Sequence, residues 1–306
     1  MLAAFLTTVL FSISAVCGHR SAKLIGGTEA NFWRAALATL LLAAWSHTFG
    51  KGLAGAAFPA FVASGILGIG IGDVAYFQAL PRLGARLSLL LVQCLTAPLG
   101  ALIEWLWLGT TLTLWQVLFG VITLVGVGIA LAPGGHLKLT RRELTLGTLF
   151  GVIAALGGAG GAVFSRKAYF IVRASGEHID PVNAGYQRML GGLMLAGICL
   201  LVVKRREFRI QTRAQRDLAV EASRKKWQGV WLWIVLNALA GQTVGVSCLQ
   251  WALQTTPAGV VLPIVAMAPI VVIPITLLLE GDRPSLRSLI GGAIAVAGVS
   301  ALTLSR

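Results

Sequence analysis

The chain has 306 residues, of which 57% are apolar and 12% charged, with 25 Lys+Arg against 11 Asp+Glu and a formal net charge of +14. Soluble domains average about 25% charged residues, so a soluble globular domain, a disordered chain and a disulfide scaffold are excluded, and an all-α membrane protein remains. The basic excess does not call for nucleic acid as a partner, because the Lys and Arg residues lie between apolar runs, where membrane proteins place them beside anionic head groups.

Apolar runs fall at 1–17, 32–46, 53–80, 87–108, 112–132, 144–165, 182–203, 229–252, 258–279 and 285–303. Each is read as a transmembrane helix, since lipid offers no partner to free backbone groups and about 20 residues cross the hydrocarbon. The first run lacks a positive n-region, and Val16 ahead of Cys17 is not the small residue of a lipoprotein site, so it is read as a retained span. Run three carries Asp73, Tyr76 and Gln78 behind Gly68 and Gly72, which have the spacing of close helix contact. Run four carries Gln93, Pro98 and Glu104, and Trp105 and Trp107 around Glu104 suggest an interfacial anchor. Residues 204–228 hold nine Lys/Arg and three acids and read as a basic segment lying on anionic lipid. Run eight carries Asn237, Gln242, Thr243, Ser247 and Gln250. Run nine carries Pro263, Pro269 and Pro274. With Pro98 these prolines are candidate hinges, because proline removes a helix hydrogen bond.

The second half repeats the first. Ala79-Leu80, Ala97-Pro98, Gly120 and Gly126-Val127 return in order as Ala252-Leu253, Ala268-Pro269, Gly292 and Gly298-Val299, always 171 to 173 residues on. Arg34 and Arg188 also match, at the starts of runs two and seven. Two repeats of five spans, 1–132 and 144–306, must enter the membrane from opposite sides, since five is odd. Inverted repeats around a midplane site are the build of secondary transporters.

The run Gly72-Asp73-Val74-Ala75-Tyr76-Phe77-Gln78-Ala79-Leu80, the segments Pro98 to Gly109 and Pro269 to Glu280-Gly281-Asp282-Arg283, and the glycine-rich closing spans resemble EamA-type transporters of the drug/metabolite transporter superfamily. The resemblance covers almost the whole chain. It implies ten helices and export of amino acids or related small metabolites. The chain departs from it at Thr110-Thr111, where the family often has an acid; only Glu280 keeps one. The resemblance also implies cytoplasmic termini, whereas the concentration of Lys and Arg in the loops after odd-numbered spans puts both termini outside.

Asp73 is the leading site residue. A carboxylate at membrane depth costs at least ~2.5 kcal/mol and tends to face a cavity or a partner. It is expected to bind a substrate ammonium or a proton, with Arg82 and Arg86 as candidate counter-charges. Tyr76, Gln78, Gln93, Asn237, Gln242, Ser247 and Gln250 are expected to line the same cavity, with interhelical hydrogen bonding as the plainer role of each amide and hydroxyl. Arg34 and Arg188 are expected to snorkel to head groups or to guard the cavity mouths. Glu280 is expected to pair with Arg283 or Arg287.

No Walker A, HExxH or GxSxG sequence is present, and the four cysteines and four histidines lack ligand spacing. No enzyme activity, metal or cofactor is therefore expected. The expected function is secondary transport by alternating access in a bacterial cytoplasmic membrane, by a monomer or homodimer. A channel or a non-catalytic membrane partner subunit is the alternative.

Overall fold

The computed structural model describes residues 1–109, 111–131, 140–210, 227, 229–280 and 286–304. Among them every regular element is a helix. In chain order these are α1 (Leu2–Ile25), α2 (Gly27–Thr48), α3 (Phe58–Ala85), α4 (Leu87–Leu108), α5 (Leu114–Leu131), α6 (Arg141–Ala174), α7 (Pro181–Ile210), α8 (Gly229–Thr255), α9 in two pieces (Ala258–Val265 and Ala268–Glu280) and α10 (Leu286–Leu304). Seven of the ten are long and apolar enough to cross a membrane; α2 and the apolar stretches of α5 and α10 are shorter or less apolar.

Local chemistry sets the helix ends. Thr140 caps α6 in a reciprocal box, its hydroxyl accepting from the Glu143 N–H at 3.2 Å while the Glu143 carboxylate accepts from the Thr140 N–H at 3.0 Å. The chain turns from α3 into α4 at Gly84, whose φ of 79° and ψ of 165° suit glycine alone. Pro98 does not break α4. α9 does break, at Ala266 and Met267, where Pro269 has no N–H to continue the ladder. Hydroxyls of α1 pin the break on both sides: Thr8 donates to the Ile264 carbonyl at 3.0 Å and Ser12 to the Ala268 carbonyl at 2.7 Å.

Two helices widen into π turns, α3 at Ile66–Asp73 and α8 at Ala238–Gly245. The two segments begin 172 residues apart, within the offset of the sequence repeat. Such turns in mid-helix frequently mark functional sites.

Polarity runs inside out. Gln187, Gln250, Asn183 and Ser12 are fully buried, whereas Leu106, Leu114 and Leu278 are 69%, 81% and 85% exposed. With water outside, that distribution would be unstable; with lipid outside, the apolar surface is solvated and the polar groups bond to one another. The chain is an integral, multi-pass membrane protein.

Helix packing brings distant parts of the chain together. α6 packs on α3 and α4, as α1 packs on α8 and α9; α2 packs on α7, and α5 on α10. The α3–α6 contact is made of glycine. A Cβ on Gly161 would lie 2.7 Å from the Gly68 Cα, and one on Gly157 would lie 2.7 Å from the Gly72 Cα. The Gly68/Gly72 stripe thus locks into a second stripe of the same spacing, and backbone meets backbone. Gly161→Leu is expected to force the two helices apart at a cost of about 1–3 kcal/mol or more. A drop in thermal unfolding temperature in detergent, with no comparable drop for Gly128→Leu, is the measurement that checks it, since a Cβ on Gly128 meets nothing.

Contacts between helix ends fix which loops share a side. Lys51 after α2 bonds Glu177 after α6 at 3.2 Å, and the Ala56 N–H donates to the same carboxylate at 3.2 Å. The Ala56 N–H and the Lys51 ammonium hold the Glu177 carboxyl below its ordinary range. At the opposite ends of their helices, Glu29 after α1 pairs with Lys204 near the end of α7. Of the basic segment 204–228, residues 211–226 and 228 lie outside the described residues, as do residues 281–285 and the Glu280 side chain expected to pair with Arg283 or Arg287.

Candidate functional site

α1, α2, α3, α4, α6, α7, α8 and α9 surround one central cavity with about 150 Å³ open to the centres of water molecules, room for on the order of ten waters. Asp73 closes the α3 π segment and reaches this cavity. Its Oδ2 is 2.8 Å from Arg34 Nη2 on α2 and accepts from Gln242 Nε2 on α8 at 2.6 Å. Three helices therefore meet on one carboxylate oxygen. Arg34 is held in turn from its own helix: its Nε and Nη2 donate to Asn31 Oδ1 at 3.1 and 2.8 Å, and its guanidinium sits 4.3 Å above the Phe77 ring.

The counter-charge of Asp73 is thus Arg34 and not a basic residue after α3. Arg82 turns back on its own helix, donating to the Gln78 carbonyl and lying 5.2 Å from the centre of the Phe150 ring; the Arg86 side chain lies outside the described residues. Nor does Arg34 snorkel. The apolar run suggests a helix start at 32, but α2 begins at Gly27, and Arg34 lies seven residues inside it. Arg188 lies seven residues inside α7, which begins at Pro181. At 1.5 Å per residue each sits roughly 10 Å from its helix start, and both line the cavity at 4% exposure.

Four of the expected site residues line the cavity: Asp73, Tyr76, Gln93 and Gln242. Four do not. Gln78 donates to Thr28 Oγ1 at 3.0 Å. Asn237 accepts from Ser14 at 2.7 Å and stands one layer behind the lining, where Ser14 itself faces in. Ser247 turns to the Thr243 carbonyl of its own helix at 2.7 Å. Gln250 is fully buried, and neither of its amide atoms has a partner among the described residues. The eight-residue spacing of Gln242 and Gln250 implies one face only on an α-helix; Gln242 lies inside the π segment and Gln250 beyond it, so the register does not carry across. Of the four prolines, Pro263 lies between the cavity-lining Leu262 and Val265 side chains of α9, and Pro269 lies just past the break. Pro98 and Pro274 sit inside helices that continue through them.

Glu104 is no interfacial anchor. It is 2% exposed and bonds Arg166 Nε on α6 at 3.1 Å, while its Oε2 accepts from the Gly259 N–H at 3.2 Å, at the positive N-terminus of α9. Arg166 also donates to the Leu253 carbonyl at 2.9 Å. The Trp105 and Trp107 neighbours are exposed as a belt requires, and α6 runs on to Ala174, which carries Arg166 into the bundle where Glu104 turns inward.

The model of the EamA-like transporter family matches residues 1–132 and 145–304. The chain belongs to the EamA-like transporter family. That places it in the drug/metabolite transporter superfamily. A solved crystal structure matches over 99% of this chain and 96% of its own length, with a TM-score of 0.68 and 20% sequence identity, which is a likeness of fold. No curated protein matches the chain. In this EamA-family protein the sequence signals that marked Asp73, Tyr76, Gln93 and Gln242 were polarity and depth within an apolar run. The signal for Arg188 was also there, in its match to Arg34, but the lengths of α2 and α7 were needed to place either residue.

Proposed function

We propose that the protein is a secondary transporter of small metabolites, working in the export direction by alternating access at the Asp73 cavity. The carrying observation is a largely apolar cavity that holds an Arg34–Asp73 ion pair, in the middle of a lipid-facing helical bundle. Membership of a transporter family supports the same reading. A chain with no nucleotide motif draws its energy from a solute or ion gradient, and its role is transport and not catalysis.

Two inverted repeats, 1–132 and 144–306, supply the two gates. Exchanging helix n with helix n+5 maps the packing of α6 on α3 and α4 onto that of α1 on α8 and α9, and maps α2–α7 and α5–α10 onto themselves. The loops after α2 and α6 meet at Glu177, and the α1–α2 turn meets the end of α7 at Glu29. Helices traversed alternately, five to a repeat, put those loops on those shared sides. The π segments of α3 and α8 and the break in α9 give each half a deformable stretch beside the cavity.

The test begins with metabolite profiling of cells lacking and overproducing the protein. The solute that changes is then loaded into proteoliposomes for counterflow, in which internal solute drives uptake of labelled solute. A carrier shows counterflow, and Asp73→Asn is expected to reduce the flux per folded, reconstituted protein at least tenfold, on top of the stability lost by leaving Arg34 without its counter-charge. Flux without trans-stimulation would mean a channel, and flux indifferent to Asp73 would remove the cavity from the transport path.

A further inference from the structure

The charges of the cavity do not balance. Three charged side chains line it: Arg34, Asp73 and Arg188. Arg34 and Asp73 neutralise each other. Arg188 is 4% exposed, and its Nε and Nη1 have no hydrogen-bond partner among the described residues. The acid that acts on it, Asp73, is already bonded to Arg34 and Gln242. Buried guanidinium donors without hydrogen bonds are costly, and their place in the cavity wall is where an anion would be received.

The fold makes room for this group. A Cβ on Gly65 would lie 1.8 Å from the Arg188 carbonyl oxygen, and one on Gly68 would lie 2.8 Å from Nη2. Both glycines belong to the stretch of α3 that enters the π segment. Any side chain at these positions would displace Arg188 or cover it. The Tyr76 hydroxyl and Gln242 Oε1, on residues that also line the cavity, likewise have no hydrogen-bond partner among the described residues. The remainder of the wall is largely apolar, with Phe11, Leu89, Val92, Leu249 and Val265 in it.

Resting on the transporter reading, we infer that the substrate is a small organic monoanion, a carboxylate on an apolar body, and that Arg188 is the residue that binds its carboxylate. The planar guanidinium presents two parallel N–H donors to a carboxylate, and one negative charge brings the cavity to neutrality. A substrate ammonium has no matching place, because the one acidic side chain of the lining already serves Arg34 and Gln242. A dianion such as phosphate would leave a charge over and would waste the apolar wall.

The experiment uses the purified full-length protein in detergent at pH 7.5. Thermal stabilisation and tryptophan-fluorescence titration are recorded with 4-methylpentanoate, phenylacetate, leucine, 3-methylbutylamine and inorganic phosphate. Leucine and the amine share the apolar body of 4-methylpentanoate but carry a zwitterion and a cation. At least one of the two monocarboxylates is expected to bind, at least tenfold more tightly than leucine, the amine or phosphate. Arg188→Gln is expected to remove that binding, and Arg188→Lys to weaken it, without lowering the unfolding temperature of the ligand-free protein. Should Arg188→Gln not fold, the charge series on the unaltered protein still decides. Preference for leucine, the amine or phosphate would overturn the anion assignment while leaving a solute-binding carrier. Carboxylate binding that survives Arg188→Gln would overturn the role of Arg188. Absence of binding by every probe would overturn the assignment, and counterflow with the profiled solute would then show whether the carrier reading stands without it.

Discussion

Glu104→Gln is expected to destabilise the protein by about 3–5 kcal/mol, the usual result of removing one partner from a buried ion pair. The size follows from burial on both sides: Glu104 is 2% and Arg166 6% exposed, and the carboxylate also serves the first turn of α9 through the Gly259 N–H. Loss of its charge leaves the Arg166 guanidinium without a counter-charge in a medium that cannot solvate it, with only neutral partners left: the amide oxygen of the replacement, the Leu253 carbonyl and the Phe170 ring. Arg166→Met should be similarly costly for the mirror reason. The double variant Glu104→Gln/Arg166→Met removes both charges and should recover much of the loss. Thermal unfolding in detergent, read for the four proteins of the cycle, measures the coupling. Additive losses would mean that the two groups do not stabilise the α4–α6–α9 junction as a pair. Because neither residue lines the cavity, the single variants should lower yield and stability without changing which solute is bound.

The second large effect is at Arg34. Arg34→Gln removes the counter-charge of Asp73 and should cost about 3 kcal/mol, at the lower end for a buried pair because Asp73 is 23% exposed to the cavity and keeps Gln242 as a donor. Arg34→Gln/Asp73→Asn should restore most of the unfolding temperature, yet transport should stay abolished, since the double variant repairs the electrostatics and not the site. Arg188→Gln sets the contrast. It takes away a buried charge whose Nε and Nη1 have no hydrogen-bond partner among the described residues and whose neighbouring acid is already paired with Arg34, so it should leave the ligand-free protein as stable as before or more so. Two arginines at matching repeat positions thus give opposite stability results, which melting curves would show directly. Equal destabilisation by both would mean that Arg188 has a protein partner in the native state.

The two π segments end on different chemistry. Asp73 ends the π segment of α3, and the equivalent end of the α8 segment is Gly245. Arg34 has an acid beside it, and Arg188 faces the cavity.

Much of this was legible from composition. A chain with 12% charge and ten apolar runs has one physical solution, a bundle of membrane helices, because backbone groups in lipid must bond within their own segment. The recurrence at 171 to 173 residues reappears in the spacing of the two π segments. Asp73 was also marked by sequence, since a carboxylate in an apolar run is expensive enough to demand a purpose. So were the interlocking glycines at 68 and 72.

Tertiary structure alone decided the partnerships. Sequence proximity nominated Arg82 and Arg86 for Asp73, but an ion pair depends on distance in space, and Arg34 arrives from another helix 39 positions away. Glu104 was assigned to the interface by its tryptophan neighbours, yet successive residues on a helix face different directions, so belt and buried carboxylate can adjoin. Gln78, Asn237, Ser247 and Gln250 share the residue types of the cavity wall without belonging to it: Gln78 and Asn237 bond to neighbouring helices, Ser247 to its own helix, and Gln250 is buried away from the cavity. Composition fixes what must be hidden from lipid; only the packing of the helices determines which hidden groups satisfy one another and which, like Arg188, are left facing the cavity.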